Sequence, residues 1–481
     1  MNGKLIRQTL LFILLFELIS FLISLVPGTG NIAFLIVCSI FFIIALIDLP
    51  AAILIMLVEL FIGGKGYLFY FETEGVLISV RIAFFLILLS IWLTYLIRER
   101  KIKFLQSRFL FFYLALFIFF IVGLAKAFIN NNGFANIFFD FNAYIFFAYL
   151  FILYDFLSKY DLWNKIFNVA IASFVWLGIK TMIVLYFFSH GIEWAVWPIY
   201  DWVRDSGVGE ITLMTSNIYR VFFQSHIYSL LGVAIMATML FLYRDQMKRL
   251  EKKVMFILLI LGTAAVLISL SRSFWAGALA TLPLIIIFVF YNKIKLRKLA
   301  IRAFVGLMAV IFAFLFLFIV IKFPIPEPMG GSLGSLLKER TNVADEAAAA
   351  SRWNLLPRLW EGIKHEPILG QGFGAKITYI SNDPRVLAYS PTGEYTTYAF
   401  EWGLLDVWYK IGAMGMFAYV VVLGFLAREG IVRYIRHRED IMALGLVVGL
   451  VVLFVSNFFT PYLNHPLGIG YIILMTKYLE K

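Results

Sequence analysis

Three arginines stand where a permanent cation has chemistry to do: Arg220 in "IYRVFFQSH", Arg272 in "SLSRSFWAG" and Arg352 in "ASRWNLLPRLW". A guanidinium keeps its charge and grips phosphate oxygens through paired N–H bonds, so three of them on one face would suit a diphosphate. Taken singly, each is equally explained as an arginine snorkelling to lipid headgroups, with Ser271 and Ser273 as caps of a following helix. His365, in "IKHEPILG", either closes the turn before Pro367 or offers a base. His226, His365 and His465 match no metal-ligand spacing, and no Asp-x-Asp pair is present, so no metal or other cofactor is indicated. Gly370, Gly372 and Gly374 imitate a dinucleotide loop, but no strand is predicted before them and no βαβ unit surrounds them. A tight turn is the expectation.

The elements that must position these residues belong to a membrane. Of 481 residues, 62% are hydrophobic and only 15% charged, and the mean hydropathy is +0.91. A soluble domain needs more polar surface, so the composition predicts an all-α polytopic transmembrane bundle of about 12–14 spans. Apolar runs lie near 5–25, 32–47, 50–63, 76–97, 109–127, 143–158, 166–188, 226–243, 254–270, 274–291, 303–323, 403–427, 441–459 and 467–479. The formal charge of +12 sits in short clusters between these runs, which is topology signalling and not a nucleic-acid face. Clusters at 98–108, 244–253, 292–302 and 428–440 all fall on one side when counted from Lys4 and Arg7. That side is the cytoplasm, with both termini on it. Cys38 is the single cysteine, which excludes disulfides within the chain.

The resulting organisation is N-terminal helices over 1–188, an outer loop at 189–225, central helices over 226–323, a large outer loop at 324–402 and C-terminal helices over 403–481. Arg220, Arg272 and Arg352 then share the outer side. The larger loop carries tryptophan, tyrosine and apolar residues throughout, so it is expected to be structured. Trp353, Leu356, Leu359, Trp360 and Ile363 recur at helical spacing, predicting a helix at the membrane interface that Pro357 starts or kinks.

Ser271-Arg272-Ser273, Arg352, "HEPILGQGFG" and "GLLDVWYKIGAMGM" (403–416) together resemble the O-antigen ligase and polymerase superfamily of bacterial membrane glycosyltransferases. The resemblance covers about residues 215–420, and "YRVFFQSHIYSLLG" is similar to a further piece of it through Arg220. It implies a multi-pass protein of the cytoplasmic membrane. Such enzymes move a glycan from a polyprenyl-diphosphate carrier to a glycan, lipid or protein acceptor hydroxyl outside. Arg272 and Arg352 would act in catalysis, and Arg220, Ser271, Ser273 and His365 would bind substrate. Where the family usually has a histidine base, about eleven residues before its Gly-x-x-Gly, this chain has Glu401. A carboxylate can fill that role.

Asp406 and Lys410, four apart at the start of a span, read as a structural pair. Two other readings stay open. An exporter of lipid-linked sugars would use the arginines for grip alone and place charges deeper in the spans. A relative without its base would bind and not react.

Overall fold

Apolar runs that cross hydrocarbon can satisfy their backbone polar groups only by coiling. In the computed structural model every one of the fourteen runs coincides with a helix. Residues 2–74, 76–214, 217–331, 334 and 347–480 are described; 335–346, within the predicted large loop, lie outside them.

In chain order come α1 (Gly3–Ser24), α2 (Gly30–Ile47), α3 (Leu49–Ile62), α4 (Val80–Glu99), α5 (Leu110–Ile129) and α6 (Phe134–Ile145). Next are α7 (Tyr149–Lys159), α8 (Trp163–Ser189), α9 (Glu193–Asp205), α10 (His226–Leu242), α11 (Arg249–Ile268), α12 (Arg272–Tyr291) and α13 (Leu296–Ile321). The chain finishes with α14 (Ala347–His365), α15 (Gly403–Arg436), α16 (Ile441–Ser456) and α17 (Pro466–Leu479). Among the described residues nine helices, with α6 and α7 counted as one, are long and apolar enough to cross a membrane. Helices α3, α10, α16 and α17 are apolar but shorter.

Three antiparallel two-stranded ribbons interrupt the helices: Tyr70–Thr73 with Val76–Ser79, Gly209–Leu213 with Tyr219–Phe223, and Ile377–Ile380 with Glu394–Thr397. The first shortens a predicted span. Residues 76–79 pair across the ribbon, and Ser79 then caps the amide of Ile82 at 3.3 Å, so the helix starts at Val80 and not at 76.

The chain divides into two compact units, residues 1–102 with 151–339, and residues 103–150 with 340–481.

The first unit buries two ion pairs, and a third buried carboxylate, Asp155, accepts from Trp92 Nε1 at 2.8 Å. Glu59 in α3 takes Arg81 bidentately, with both N···O distances 2.9 Å, and Arg81 also donates to the Gly64 carbonyl at 2.8 Å. Both side chains are at most 5% exposed. Gly63 makes room: a Cβ there would meet the Glu59 carboxylate at 2.2 Å. In α1, Glu17 accepts from Lys180 Nζ at 2.6 Å and from Trp176 Nε1 at 2.7 Å. Removing one member of such a pair strands the other. Glu59→Ala is therefore expected to cost about 3–5 kcal/mol of stability. Thermal unfolding of the detergent-solubilised protein measures it, and an unchanged midpoint would show that Arg81 finds water.

The second unit turns on α14, which packs Leu355, Leu359 and Ile363 against Ala375, Ile377, Phe400 and Tyr409. The buried stripe thus differs from the predicted one. Trp353 and Trp360 point outward, because the partners of this helix are the third ribbon and the start of α15. Pro357 lies inside the helix, which begins ten residues earlier, at Ala347.

Helix α15 is broken at Gly412, whose φ of 72° and ψ of 175° only glycine adopts readily. The turn after α14 threads the break. Gln371 N donates to Tyr409 O at 2.7 Å, Gly372 N to Lys410 O at 3.0 Å, and Ala413 N to Pro367 O at 2.9 Å. The groups orphaned by the break thereby find partners at membrane depth. Gly370, Gly372 and Gly374 all have positive φ, and a Cβ on any of them would lie within 2.6 Å of another segment's backbone.

Candidate active site

In the first unit the site is a turn between two long helices. Helix α11 ends at Ile268, Leu270 takes a left-handed φ of 49°, Ser271 is extended, and Arg272 opens α12. Ser271 makes no side-chain cap to the backbone. Its hydroxyl instead meets that of Ser273 at 2.9 Å. A cation in the first turn of a helix works against the helix dipole, since both carry positive charge. The same sum of guanidinium and helix end favours an anion.

Arg220 reaches the same turn from the second ribbon. It stands opposite Thr212, and its Nε donates to the Ser269 carbonyl at 2.8 Å, three residues before Arg272. The guanidinium carbon lies 4.9 Å from the centre of the Phe222 ring. The ribbon is itself held from below. His226, fully buried at the first position of α10, accepts from Phe223 N at 3.2 Å through Nδ1. Its Nε2 must then carry the proton that bonds Thr181 Oγ1 at 2.8 Å. Lys180 Nζ sits 4.5 Å from the centre of the Phe223 ring, so the Glu17–Lys180 pair supports the same strand.

In the second unit Arg352 and Glu401 form an ion pair, with the side chains 41% and 53% exposed. Trp402 Nε1 donates to the Arg352 carbonyl at 3.0 Å, and the Trp353 and Trp402 rings meet edge to face at 5.3 Å. Ser351 accepts from Asn382 N at 2.9 Å, fixing the helix against the chain that leaves the ribbon. Both charged groups remain accessible, and the tryptophans hold their backbones still. Glu401 lies two residues before α15, at the mouth of its short first segment. His365 ends α14, exposed. Thirteen residues of helix separate it from Arg352, about 20 Å at 1.5 Å per residue, so it does not join the Arg352–Glu401 pair.

Asp406 and Lys410, paired on their spacing alone, have an N···O distance of 2.6 Å. Spacing says nothing of Asp140 in α6, whose carboxylate takes Lys410 Nζ at 2.5 Å and the amide of Gly374 at 2.7 Å. Asn464 donates to the other oxygen of Asp406. This buried cluster fastens the short segment of α15, and so Glu401, to α6 and to the glycine turn. The one signal in the sequence is a lone acid inside the oily stretch "NIFFDFNAYIFF". A charge there has to find a partner.

Residues 254–420 match the family model of the O-antigen ligases. Arg272, Arg352 and Glu401 lie inside the matched segment; Arg220 and Asp140 lie outside it. The match covers about a third of the chain and supports the resemblance to the O-antigen ligase and polymerase superfamily of membrane glycosyltransferases, and the long apolar helices mark a multi-pass membrane protein. No curated protein matches the chain.

Proposed function

We propose that this O-antigen ligase/polymerase-type glycosyltransferase moves a glycan from a polyprenyl-diphosphate carrier to an acceptor hydroxyl on the outer face of the cytoplasmic membrane. No metal takes part in this scheme. The acceptor oxygen attacks the anomeric carbon, the bond from that carbon to the diphosphate breaks, and the hydroxyl proton passes to Glu401. The diphosphate leaves with its bonding electrons, and Arg272, Arg220 and Arg352 balance the charge that develops on it. Ser271 and Ser273 line the same mouth, and His365 meets more distant parts of the substrate. The observation that carries this reading is the Arg220–Ser269 bond. It supports two guanidinium side chains serving one helix mouth within the segment of family resemblance.

An exporter would leave the glycan–diphosphate bond intact. The charges it would need within the helices exist in Glu17 and Lys180, but they are occupied by each other, which favours transfer. Mass analysis of lipid-linked glycans from cells with and without the intact gene tests the choice. A transferase leaves glycan on its carrier when deleted and frees the carrier when restored. Unchanged glycan–carrier linkage on both counts would support the exporter.

Arg272→Lys separates charge from geometry. Lysine keeps the cation and loses the planar fork, so turnover should fall by about 10²-fold, the usual consequence of losing one transition-state donor. Expression and thermal melting should match the parent. Full turnover in the lysine variant would reduce Arg272 to a headgroup anchor.

A further inference from the structure

We infer that a cup in the first unit, separate from the arginine mouth, binds a single pyranose ring. It lies where the end of α1, the turn at 25–30, the strand entering the first ribbon and the last turn of α9 meet. Ser24, Tyr67, Tyr70, Trp202, Asp205 and Ser206 are among its walls, and its volume is about 150 Å³. That is below the ~300–1,000 Å³ of sites that take drug-sized ligands, which suits one sugar ring and not a chain of them.

The walls are built and not left over. Trp202 Nε1 donates to Ser20 Oγ at 3.0 Å, and Ser20 donates onward to the Leu68 carbonyl at 2.6 Å, so the indole is fixed at one side. Phe21 backs it edge to face at 6.0 Å. Ser206 donates to the Trp202 carbonyl at 2.5 Å. Opposite these, Tyr67 and Tyr70 are half-buried, and neither hydroxyl bonds to any described residue. Asp205 adds an exposed carboxylate with no ion-pair partner among the described residues.

The chemistry selects the ligand class. No lysine or arginine lines the cup, and a carboxylate does, so it repels a phosphate or diphosphate. A hydrocarbon chain would leave the two phenols and the carboxylate unbonded. A sugar satisfies both demands, giving its hydroxyls to Asp205, Tyr67 and Tyr70 and the C–H face of its ring to the aromatic walls. Burial pushes both phenols up from their ordinary value. The charges of Asp205 and Glu72 add to this at Tyr70, while Arg81 opposes it at Tyr67. Both therefore stay protonated donors at neutral pH.

That the natural ligand is part of the transferred glycan or its acceptor rests on the proposed transferase activity; binding itself does not. The test uses the full chain in lipid nanodiscs with the methyl pyranosides of glucose, galactose, N-acetylglucosamine and rhamnose, read by saturation-transfer NMR. At least one should bind, and binding should weaken at least tenfold in Tyr67→Phe/Tyr70→Phe and in Ser24→Phe, which fills the cup. Inorganic pyrophosphate should not compete. Ser24 and Asp205 are exposed, so Ser24→Phe and Asp205→Asn should fold with unchanged melting. Signal from none of the four probes, or signal that survives Ser24→Phe in a folded protein, overturns the inference. Binding without any glycan transfer by the wild type would leave the cup standing and remove the transferase reading.

Discussion

Glu401→Gln should lower the turnover of glycan transfer by about 10²–10⁴-fold, the usual worth of a general base, while the lipid donor still binds. Glutamine keeps the shape and one acceptor oxygen facing Arg352, so the ion-pair partner stays in place. What is lost is a group able to take a proton from the acceptor. The carboxylate meets Arg352 in an ion pair. That pairing suggests a competing role in which Glu401 merely aims Arg352. In that case glutamine would still aim it, and turnover would fall by less than about tenfold. Glu401→His distinguishes the two further. An imidazole acts as a base only when neutral, so the activity it restores should be lost as pH falls through its pKa, near 6.5 unperturbed and lower beside a guanidinium. Stopped-time transfer assays across pH, with donor binding measured separately, give both answers. A flat pH profile in an active histidine variant would take the proton transfer away from position 401.

Gly412→Val should yield almost no folded protein. The break in α15 places this residue at φ 72° and ψ 175°, and a Cβ would lie 2.0 Å from the Ile368 carbonyl oxygen. That contact is with backbone, which cannot move without releasing the threaded turn. Strain and collision together should exceed about 4 kcal/mol, a large share of any domain's stability. Gly424 provides the control. It lies in the same helix, and a Cβ at that position would meet nothing within 4 Å, so Gly424→Ala should fold and gain a few tenths to about 1 kcal/mol. Size-exclusion profiles and melting curves of the two variants decide the matter. Normal yield from Gly412→Val would mean that the break is not required.

Much of this is legible in the sequence because bilayer-length apolar runs leave the backbone one solution. The failures have physical causes. Residues 76–79 read as helix because three apolar residues and a serine show no period, and only pairing with 70–73 makes them a strand. "GEITL" and "YRVFF" likewise become strands only by pairing with each other, so the strand that carries Arg220 is not seen in the sequence. The break at Gly412 is invisible in "YKIGAMGM", since a helical glycine costs little and the threaded partner lies some forty residues upstream. Arg352 and Glu401 each stand out, but their pairing joins positions forty-nine residues apart and nothing local announces it. Glu17 with Lys180 and Glu59 with Arg81 are the same case. Each charge is readable as needing a partner, and none carries the partner's address.

The lock between α6 and the broken helix also sets a schedule for biosynthesis. Asp140 is made early, and its counter-ion Lys410 and the amide of Gly374 are made only after the whole of 151–339 has left the ribosome. From Asp140 to Lys410, at ~5–20 residues per second, that interval is roughly 14–54 s. Throughout it, α5 and α6 wait in the membrane with an acid whose cation does not yet exist. The nascent hairpin must lodge that carboxylate at the lipid surface or against other polar groups, and it closes only when residues 340–481 arrive. The completion of the second unit is therefore tied to the synthesis of residues 340–481, long after its first helices have entered the membrane.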